Sequence, residues 1–268
     1  MKKLLFTLAL LISFSSFGQT AEEYFKSGLY KAFAKDYYGA IADYTKAIEL
    51  DPNNAGAYYN RGVSKTNLKD YNEAIADYTK AIELDPNNAA AYYNRGVSKL
   101  NLKDYNGAIA DYTKAIELDP NNAHAYKNRG VSKRNLKDYN GAIADYTKAI
   151  ELDPNDAYAY KIRGVSKLNL KDYYGAIADY TKAIELDPND ADAYKIRGVS
   201  KRNLKDYNGA IADYTKAIEL DPNNADAYKN RGVVKEILGD LNGACADWKK
   251  AARLGDEDAA EWVANQCN

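Results

Sequence analysis

The sequence predicts an all-α protein of the α-solenoid type, because one 34-residue block recurs along most of its 268 residues. Five near-identical copies and two looser flanking copies each open on an alanine: Ala21, Ala55, Ala89, Ala123, Ala157, Ala191 and Ala225. All six prolines fall on position 32 of the block. A fixed period of this length is typical of a solenoid, in which each unit buries its apolar face only against its neighbours. We therefore expect seven repeats within residues 19–258, followed by a capping helix over residues 259–268.

Each repeat is predicted to contain two helices joined by a short turn. In the second repeat, the apolar spacing predicts a first helix over residues 58–68 and a second helix over residues 71–84. Pro86 ends the second helix, because proline lacks an amide hydrogen and clashes with the preceding turn. Asn87 and Asn88 are expected to cap the helix that follows.

A glycine in the middle of every first helix requires a packing explanation. Gly62 and its equivalents each cost about 1 kcal/mol in helix propensity. The second helix carries Tyr78 between the small residues Ala74 and Ala81 on its core-facing stripe. We therefore expect the glycine, which has no Cβ, to let the helix that carries Tyr78 approach closely.

These fixed positions resemble the tetratricopeptide repeat family, with glycine at position 8, alanine at 20 and 27, an aromatic residue at 24 and proline at 32. The resemblance covers 238 of the 268 residues. It implies antiparallel helix pairs that stack into a right-handed superhelix. It also implies that the first helices line a concave groove, which binds peptides or protein segments.

Two positions depart from the family pattern. Position 7, usually apolar in the family, is arginine in repeats 2 to 7, and position 11 is lysine in all seven. Their aliphatic stems could cover the core while their charged ends reach acidic neighbours, such as Asp77 and Asp111. The alternative is a role in binding a ligand. We expect the structural role, because an unvarying series of charges is what packing between like repeats requires.

Variation among the repeats concentrates on the first helix, at positions 2, 5, 6 and 12. The resemblance places positions 2, 5, 9, 12 and 13 in the groove. Position 9 is valine where the chaperone-tail-binding members carry asparagine, so their carboxylate clamp is not reproduced. The alternative is that these positions are exposed and vary without consequence. The candidate groove residues are Tyr59, Tyr93, Lys127, Lys161, Lys195 and Lys229 at position 5, Arg134 and Arg202 at position 12, and Asn101, Asn135 and Asn169 at position 13.

The first 18 residues are predicted to be a secretory signal peptide. Lys2 and Lys3 precede an apolar run over residues 4–14, and the small residues Ser16 and Gly18 follow it. The run is shorter than the roughly 20 residues that a membrane-spanning helix needs, although an uncleaved anchor is the alternative. The sequence therefore predicts export to the periplasm or the outside of a bacterial cell.

Composition argues against several classes of function. The chain has 37 basic and 38 acidic residues, and removal of Lys2 and Lys3 changes the net charge from −1 to −3. A chain so near neutrality has no overall electrostatic reason to bind nucleic acid. His124 is the only histidine, and the sequence has no phosphate-binding loop or nucleophile elbow. We therefore expect no enzymatic activity, no cofactor, no catalytic residue and no metal site.

The sequence predicts a non-enzymatic scaffold that binds a peptide or protein segment in its groove. The change from tyrosine to lysine at position 5 suggests a partner with an acidic segment. We expect no nucleic-acid partner and no membrane span in the mature chain. The alternative is a structural or assembly spacer within a cell-envelope complex; carbohydrate binding along the tyrosines has no specific motif behind it.

Both cysteines lie near the C-terminus, and their spacing is compatible with a disulfide. Cys245 and Cys267 are equidistant from Asp256, which lies in a predicted break between two helical stretches. Residues equidistant from the turn of a helical hairpin come level with each other, and an oxidising compartment lets such a pair form a bridge. Two unpaired thiols are the alternative.

We predict that the mature protein begins near Gln19 and carries a bridge between Cys245 and Cys267. Intact-mass measurement of the protein from its own cells, with and without reductant, checks both statements. A mature species that keeps Met1 would contradict the first statement. Two thiols that alkylate without prior reduction would contradict the second.

Overall fold

The computed structural model describes residues 19–267, and the predicted signal peptide lies outside the described residues. Within that range the chain forms fifteen α-helices and no strand. The helices are α1 Ala21–Phe33, α2 Tyr37–Leu50, α3 Ala55–Asn67, α4 Tyr71–Leu84, α5 Ala89–Asn101, α6 Tyr105–Leu118, α7 Ala123–Asn135, α8 Tyr139–Leu152, α9 Ala157–Asn169, α10 Tyr173–Leu186, α11 Ala191–Asn203, α12 Tyr207–Leu220, α13 Ala225–Ile237, α14 Leu241–Arg253 and α15 Glu257–Gln266. The all-α helix-turn-helix repeats, with a helix after the last repeat, are confirmed.

The helices fall into two compact units. Unit 1 contains α1 to α4 and ends at Pro86, and unit 2 begins at Asn87 and contains α5 to α15. Within each unit, the two helices of a repeat pack against each other, and each second helix packs against the first helix of the next repeat. Positions one repeat apart within a unit therefore lie in equivalent surroundings.

Helix caps explain where two helices begin earlier than expected. The first helix of the second repeat begins at Ala55 rather than at residue 58, because Asn54 caps it. The Asn54 side-chain oxygen accepts a hydrogen bond from the Ala57 N–H at 2.9 Å. The terminal helix α15 begins at Glu257 rather than at residue 259, because Asp256 accepts from the Ala259 N–H.

Each mid-helix glycine faces the ring of a buried tyrosine or tryptophan on the second helix. A Cβ built on Gly130 would lie 2.6 Å from Cε1 of Tyr146, closer than carbon atoms pack. Tyr146 is completely buried. The expected packing reason for the glycine is therefore confirmed: it provides the space that the aromatic ring fills.

The arginines and lysines of the first helices surround a buried aspartate on the second helix. In the fourth repeat, Arg129 donates to both carboxylate oxygens of Asp145, at 3.0 and 2.7 Å. Lys133 lies 2.8 Å from the same carboxylate, which is 4% exposed. Arg129 also donates to the hydroxyl of Thr113, in the preceding repeat, at 3.1 Å. The structural role expected for positions 7 and 11 is confirmed by these contacts.

The C-terminal end of unit 2 is covered by α15. The ring of Trp262 packs edge-on against Trp248, with ring centroids 5.3 Å apart. Val263 packs against the same buried cluster. A disulfide joins Cys245 in α14 to Cys267 in the structure, which is the pairing that the intact-mass measurement tests. The last repeat thus has a partner for its apolar face.

We predict that Gly130→Ala lowers the free energy of unfolding by about 1 to 3 kcal/mol, because the added methyl overlaps the Tyr146 ring. Gly141→Ala is the matched control in the same repeat. The three atoms nearest to a Cβ there all belong to the exposed Asp138 side chain, and repeat 2 carries Glu73 at the equivalent position. The control gains helix propensity and weakens one cap, so we expect its unfolding free energy to change little.

Urea unfolding followed by circular dichroism measures both variants. Equal stability of the two variants would show that the aromatic ring is not what fixes the glycine.

Candidate functional site

The position-5 lysines of unit 2 form ion pairs that link one repeat to the next. Lys127 Nζ lies 2.5 Å from Asp156 Oδ2, and Lys161 pairs with Asp190 in the same way. Asp156 and Asp190 are the N-caps of α9 and α11. The lysine side chains are mostly buried, with 17% and 29% exposed. These charges therefore already have partners within the protein, and the place of the lysines in a partner-binding groove stays a prediction.

The other two position-5 lysines are also paired. Lys229 lies 2.7 Å from Asp256, the cap of α15. The cap that follows Lys195 is asparagine, and Lys195 pairs instead with Asp192 at 2.8 Å and Asp226 at 3.6 Å. Sequence reasoning missed that aspartate replaces asparagine at the cap after Lys127 and Lys161. The joint appearance of lysine at position 5 and aspartate at the following cap was visible in the sequence and could have predicted the ion pair.

The ion pair with Lys127 affects the pKa of the Asp156 carboxyl group. Burial raises the pKa of this carboxyl, but hydrogen bonds from Lys127 and from backbone N–H groups, together with the charge of Lys127, outweigh that effect. The pKa of Asp156 therefore lies below its ordinary value. A carboxylate held charged in this way stabilises the folded state at neutral pH.

The tyrosines and asparagines expected in the groove make contacts within the protein. In unit 1, the Tyr59 ring lies 6.0 Å from the Tyr78 ring. In unit 2, Tyr93 lies 5.8 Å from Tyr112, and its hydroxyl accepts a hydrogen bond from Asn128 at 3.0 Å. The exposed amides at position 13 each donate at 2.8 Å to a carbonyl four residues earlier: Asn101 to Val97, Asn135 to Val131 and Asn169 to Val165.

Unit 2 contains a cavity that brings two of the predicted residues together. The cavity has a volume of about 330 Å³ and is open to solvent on one side. Repeat positions 2, 5, 6, 9 and 12 contribute to it, together with one buried tyrosine. Its lining residues are Arg134, Tyr158, Lys161, Ile162, Val165, Tyr180, Asp192 and Ile196.

Two of these residues, Ile162 and Ile196, were missed as candidate site residues. Both occupy position 6, which is isoleucine only in repeats 5 and 6. Repeats 2, 3, 4 and 7 carry asparagine there. The exchange of an amide for an apolar side chain in two adjacent repeats was visible in the sequence. It gives this cavity its apolar floor.

The two position-12 arginines of unit 2 have different surroundings. Arg202 donates a hydrogen bond to the side-chain oxygen of Asn230, at position 6 of the next repeat, at 2.9 Å. The residue equivalent to Asn230 for Arg134 is Ile162, which has no acceptor. Within residues 19–267, the Arg134 guanidinium has no hydrogen-bond or ion-pair partner. The cavity rim therefore carries one cation that the protein does not neutralise.

Within the described part of the chain, no group of three histidine, cysteine, aspartate or glutamate side chains could hold a metal ion. No helix between residues 19 and 267 combines the length and the apolar character needed to cross a membrane. The only histidine, His124, is exposed near the start of α7.

Comparison with protein families finds tetratricopeptide repeats in both units. The tetratricopeptide repeat model matches residues 55–88, 89–122, 123–156 and 157–190, which is just over half of the chain. A second tetratricopeptide repeat model matches residues 179–212, and a TPR repeat model matches residues 34–68 and 198–236. Comparison with curated proteins found no match.

Several solved structures are similar to this chain. MamA is 30% identical with a TM-score of 0.59, over 62% of this chain and 96% of MamA. YrrB, described as a TPR protein with an unusual peptide-binding site, is 28% identical with a TM-score of 0.63, over 69% and 95%. The C-terminal part of a TPR repeat-containing protein from Cytophaga hutchinsonii is 21% identical with a TM-score of 0.77, over 88% and 98%. The last similarity shows the fold alone.

We predict that Lys127→Gln lowers the free energy of unfolding at pH 7 by about 1.5 to 3 kcal/mol, the usual contribution of a hydrogen bond to a charged group. Because folding lowers the pKa of Asp156, the pair stabilises the fold above the ordinary aspartate pKa. That stabilisation is lost as the pH falls through the lowered value. The difference between variant and wild type should therefore shrink on acidification.

Urea unfolding at pH 7 and at about pH 3 measures this difference. Lys148→Gln, which removes an exposed pair with Glu151, is the control and should change stability much less. A Lys127→Gln effect that is equally large at both pH values would contradict the assignment to the ion pair.

Proposed function

The chain belongs to the tetratricopeptide repeat family, and we propose that it is a non-enzymatic scaffold that binds an extended peptide or protein segment along the first helices of unit 2. The observation that carries this proposal is the cavity shared by three consecutive repeats. Six of its eight lining residues, all but Val165 and Tyr180, occupy positions 2, 5, 6 and 12, at which otherwise near-identical repeats differ. The buried contacts of the repeats are constant while this surface varies. The variable surface is therefore the best candidate for the partner-binding site.

The shape and chemistry of the cavity fit a side chain of a peptide. Its volume of about 330 Å³ lies at the lower end of the range for ligand pockets. Ile162, Val165 and Ile196 provide an apolar floor, and charged groups lie around it. The similarity to YrrB supports a peptide as the ligand, because that protein is described as having a peptide-binding site.

An acidic segment in the partner fits the charges around the cavity. Lys161 pairs with Asp190, and Lys195 pairs with Asp192 and Asp226. Among the cations that line the cavity, Arg134 is the one without an ion-pair partner in the described residues, so the preference for an acidic partner rests on Arg134. Screening by salt should weaken such a contact.

The proposed location of the scaffold is the periplasm or the outside of a bacterial cell. The basic and apolar start of the sequence supports export. The disulfide between Cys245 and Cys267 is compatible with an oxidising compartment.

An assembly or spacer role is a second candidate, which one surface of unit 1 favours. The outer face of α1 exposes Leu29, Tyr30 and Phe33, with 40%, 78% and 93% of their surfaces accessible. An exposed apolar cluster of this kind is typical of an interaction surface. Contact through this face would join the chain to another copy or to a different component.

We predict that random dodecapeptides displayed on phage are enriched on immobilised residues 19–268 of this protein. Synthetic versions of the enriched peptides should bind in solution by fluorescence anisotropy, and the affinity should fall as salt is raised from low to physiological concentration. Absence of enrichment, or peptides that do not bind in solution, would contradict the proposed scaffold function.

Sedimentation velocity over a range of protein concentrations tests the second candidate. A spacer that self-assembles through α1 should form larger species as concentration rises, and Phe33→Lys should abolish them. A monomer at all concentrations would leave the peptide-binding scaffold as the sole role supported.

A further inference from the structure

We infer that unit 2 contains a specificity pocket for one apolar side chain of a bound peptide, with Arg134 pairing with a carboxylate beside that side chain. We call it the Ile162 pocket, lined by Arg134, Tyr158, Ile162, Val165, Tyr180 and Ile196 together with the ion-paired Lys161 and Asp192. The inference rests on the proposed function and identifies the class of peptide. The occupant is a bulky apolar residue with a neighbouring aspartate or glutamate.

The arginine of repeat 6 shows how this position is paired when the next repeat carries asparagine instead of isoleucine. Arg202 and Asn230 have the same 28-residue separation as Arg134 and Ile162. Arg202 donates to the Asn230 side-chain oxygen at 2.9 Å, so that arginine is held by the protein. Isoleucine at position 162 removes this acceptor and adds apolar surface in the same step. A single exchange therefore both extends the apolar floor and leaves the guanidinium without that acceptor.

The floor of the pocket favours an apolar side chain. Ile162 is 3% exposed and Tyr180 is 1% exposed, so both present only a small part of their surface. Tyr158 is 53% exposed and lies at the edge of the cavity. Tyrosine offers a rigid contact area at low cost in conformational entropy. A bulky side chain placed on this floor would remove its own apolar surface and that of Tyr158 from water.

The edge of the pocket favours a carboxylate over a cation. Asp192 already pairs with Lys195 at 2.8 Å, and Lys161 pairs with Asp190. Arg134 has no such partner in the described range of the chain. A guanidinium matches a carboxylate with two parallel hydrogen bonds, and nearby apolar surface strengthens such a pair. A lysine or arginine on the peptide would instead meet an unpaired like charge.

Two variants remove these features one at a time by copying other repeats of the chain. Ile162→Asn introduces the residue that repeats 2, 3, 4 and 7 carry at this position. Arg134→Leu introduces the residue of repeats 3 and 5, Leu100 and Leu168. Both variants therefore carry a residue that other repeats of this chain already have at the same position, and we expect the fold to accommodate it. Arg202→Leu is the matched control, since it removes an arginine from position 12 outside the pocket.

The probes are fluorescein-labelled nonapeptides of glycine and serine with three central residues. One probe carries Glu-Trp-Glu, a second carries Gln-Trp-Gln, and a third carries Glu-Ala-Glu. We expect the Glu-Trp-Glu probe to bind wild type most tightly in fluorescence anisotropy. Arg134→Leu should weaken this probe about tenfold and leave the Gln-Trp-Gln probe unchanged, because only the former has side-chain carboxylates beside the tryptophan.

Ile162→Asn should weaken both tryptophan probes, since the amide adds a polar group to the floor and provides an acceptor for Arg134. Arg202→Leu should change none of the affinities. Circular dichroism and thermal unfolding of the three variants check that the fold is retained.

The inference is overturned if the Glu-Trp-Glu probe does not bind wild type, if Arg134→Leu weakens both tryptophan probes equally, or if Arg202→Leu has the same effect as Arg134→Leu. Phage selection separates this failure from that of the proposed function. Selected peptides that bind wild type and all three variants equally would leave the scaffold intact and place its binding surface elsewhere. Failure of every selected peptide and every probe would remove the scaffold function as well.

Discussion

The buried aspartate on each second helix is the group on which the geometry of the repeat depends. In the fourth repeat, Asp145 accepts two hydrogen bonds from Arg129 and lies 2.8 Å from Lys133. A buried carboxylate is costly unless all its oxygens have partners, so this cluster fixes both first-helix side chains in one orientation. Nη1 of Arg129 donates a further hydrogen bond to the hydroxyl of Thr113 in the preceding repeat. One cluster thus sets the rotation of the first helix and hence which positions face away from the core.

That rotation places a second set of charges at the junctions between repeats, where they also serve the fold. Lys127 and Lys161 each reach the aspartate that caps the first helix of the following repeat. Their regular recurrence resembles a binding surface in the sequence, but it stabilises the repeat junctions. Only a charge that is not paired within the protein is available to a partner. In the cavity of unit 2, the charge without a partner among the described residues is that of Arg134.

The sequence was sufficient for the fold because its main determinants are local and repeated. Periodic apolar residues, Pro86 and the glycine opposite Tyr78 predict the helix pairs without knowledge of distant contacts. The first-helix start was placed three residues late, at 58 instead of Ala55, because the Asn54 cap extends the helix beyond its apolar stripe. The contacts of Lys127 and Lys161 were missed because each partner lies 29 residues away. The position of a residue in the repeat indicates which way its side chain faces, but not which residue already neutralises its charge.

The candidate site is recognisable because the repeats provide internal references for one another. Arg134 and Arg202 occupy the same position, yet only Arg202 finds an amide acceptor in the next repeat. Drift at an exposed position would alter one residue with little consequence for its neighbours. The exchange at position 162 instead changes two properties of one cavity, its polarity and the pairing of its arginine. In unit 2 the cations at positions 5, 7 and 11 of the first helices are paired within the protein, as Lys127, Arg129 and Lys133 are. An unpaired arginine at position 12 beside an apolar floor is therefore the physical feature that a partner would complete.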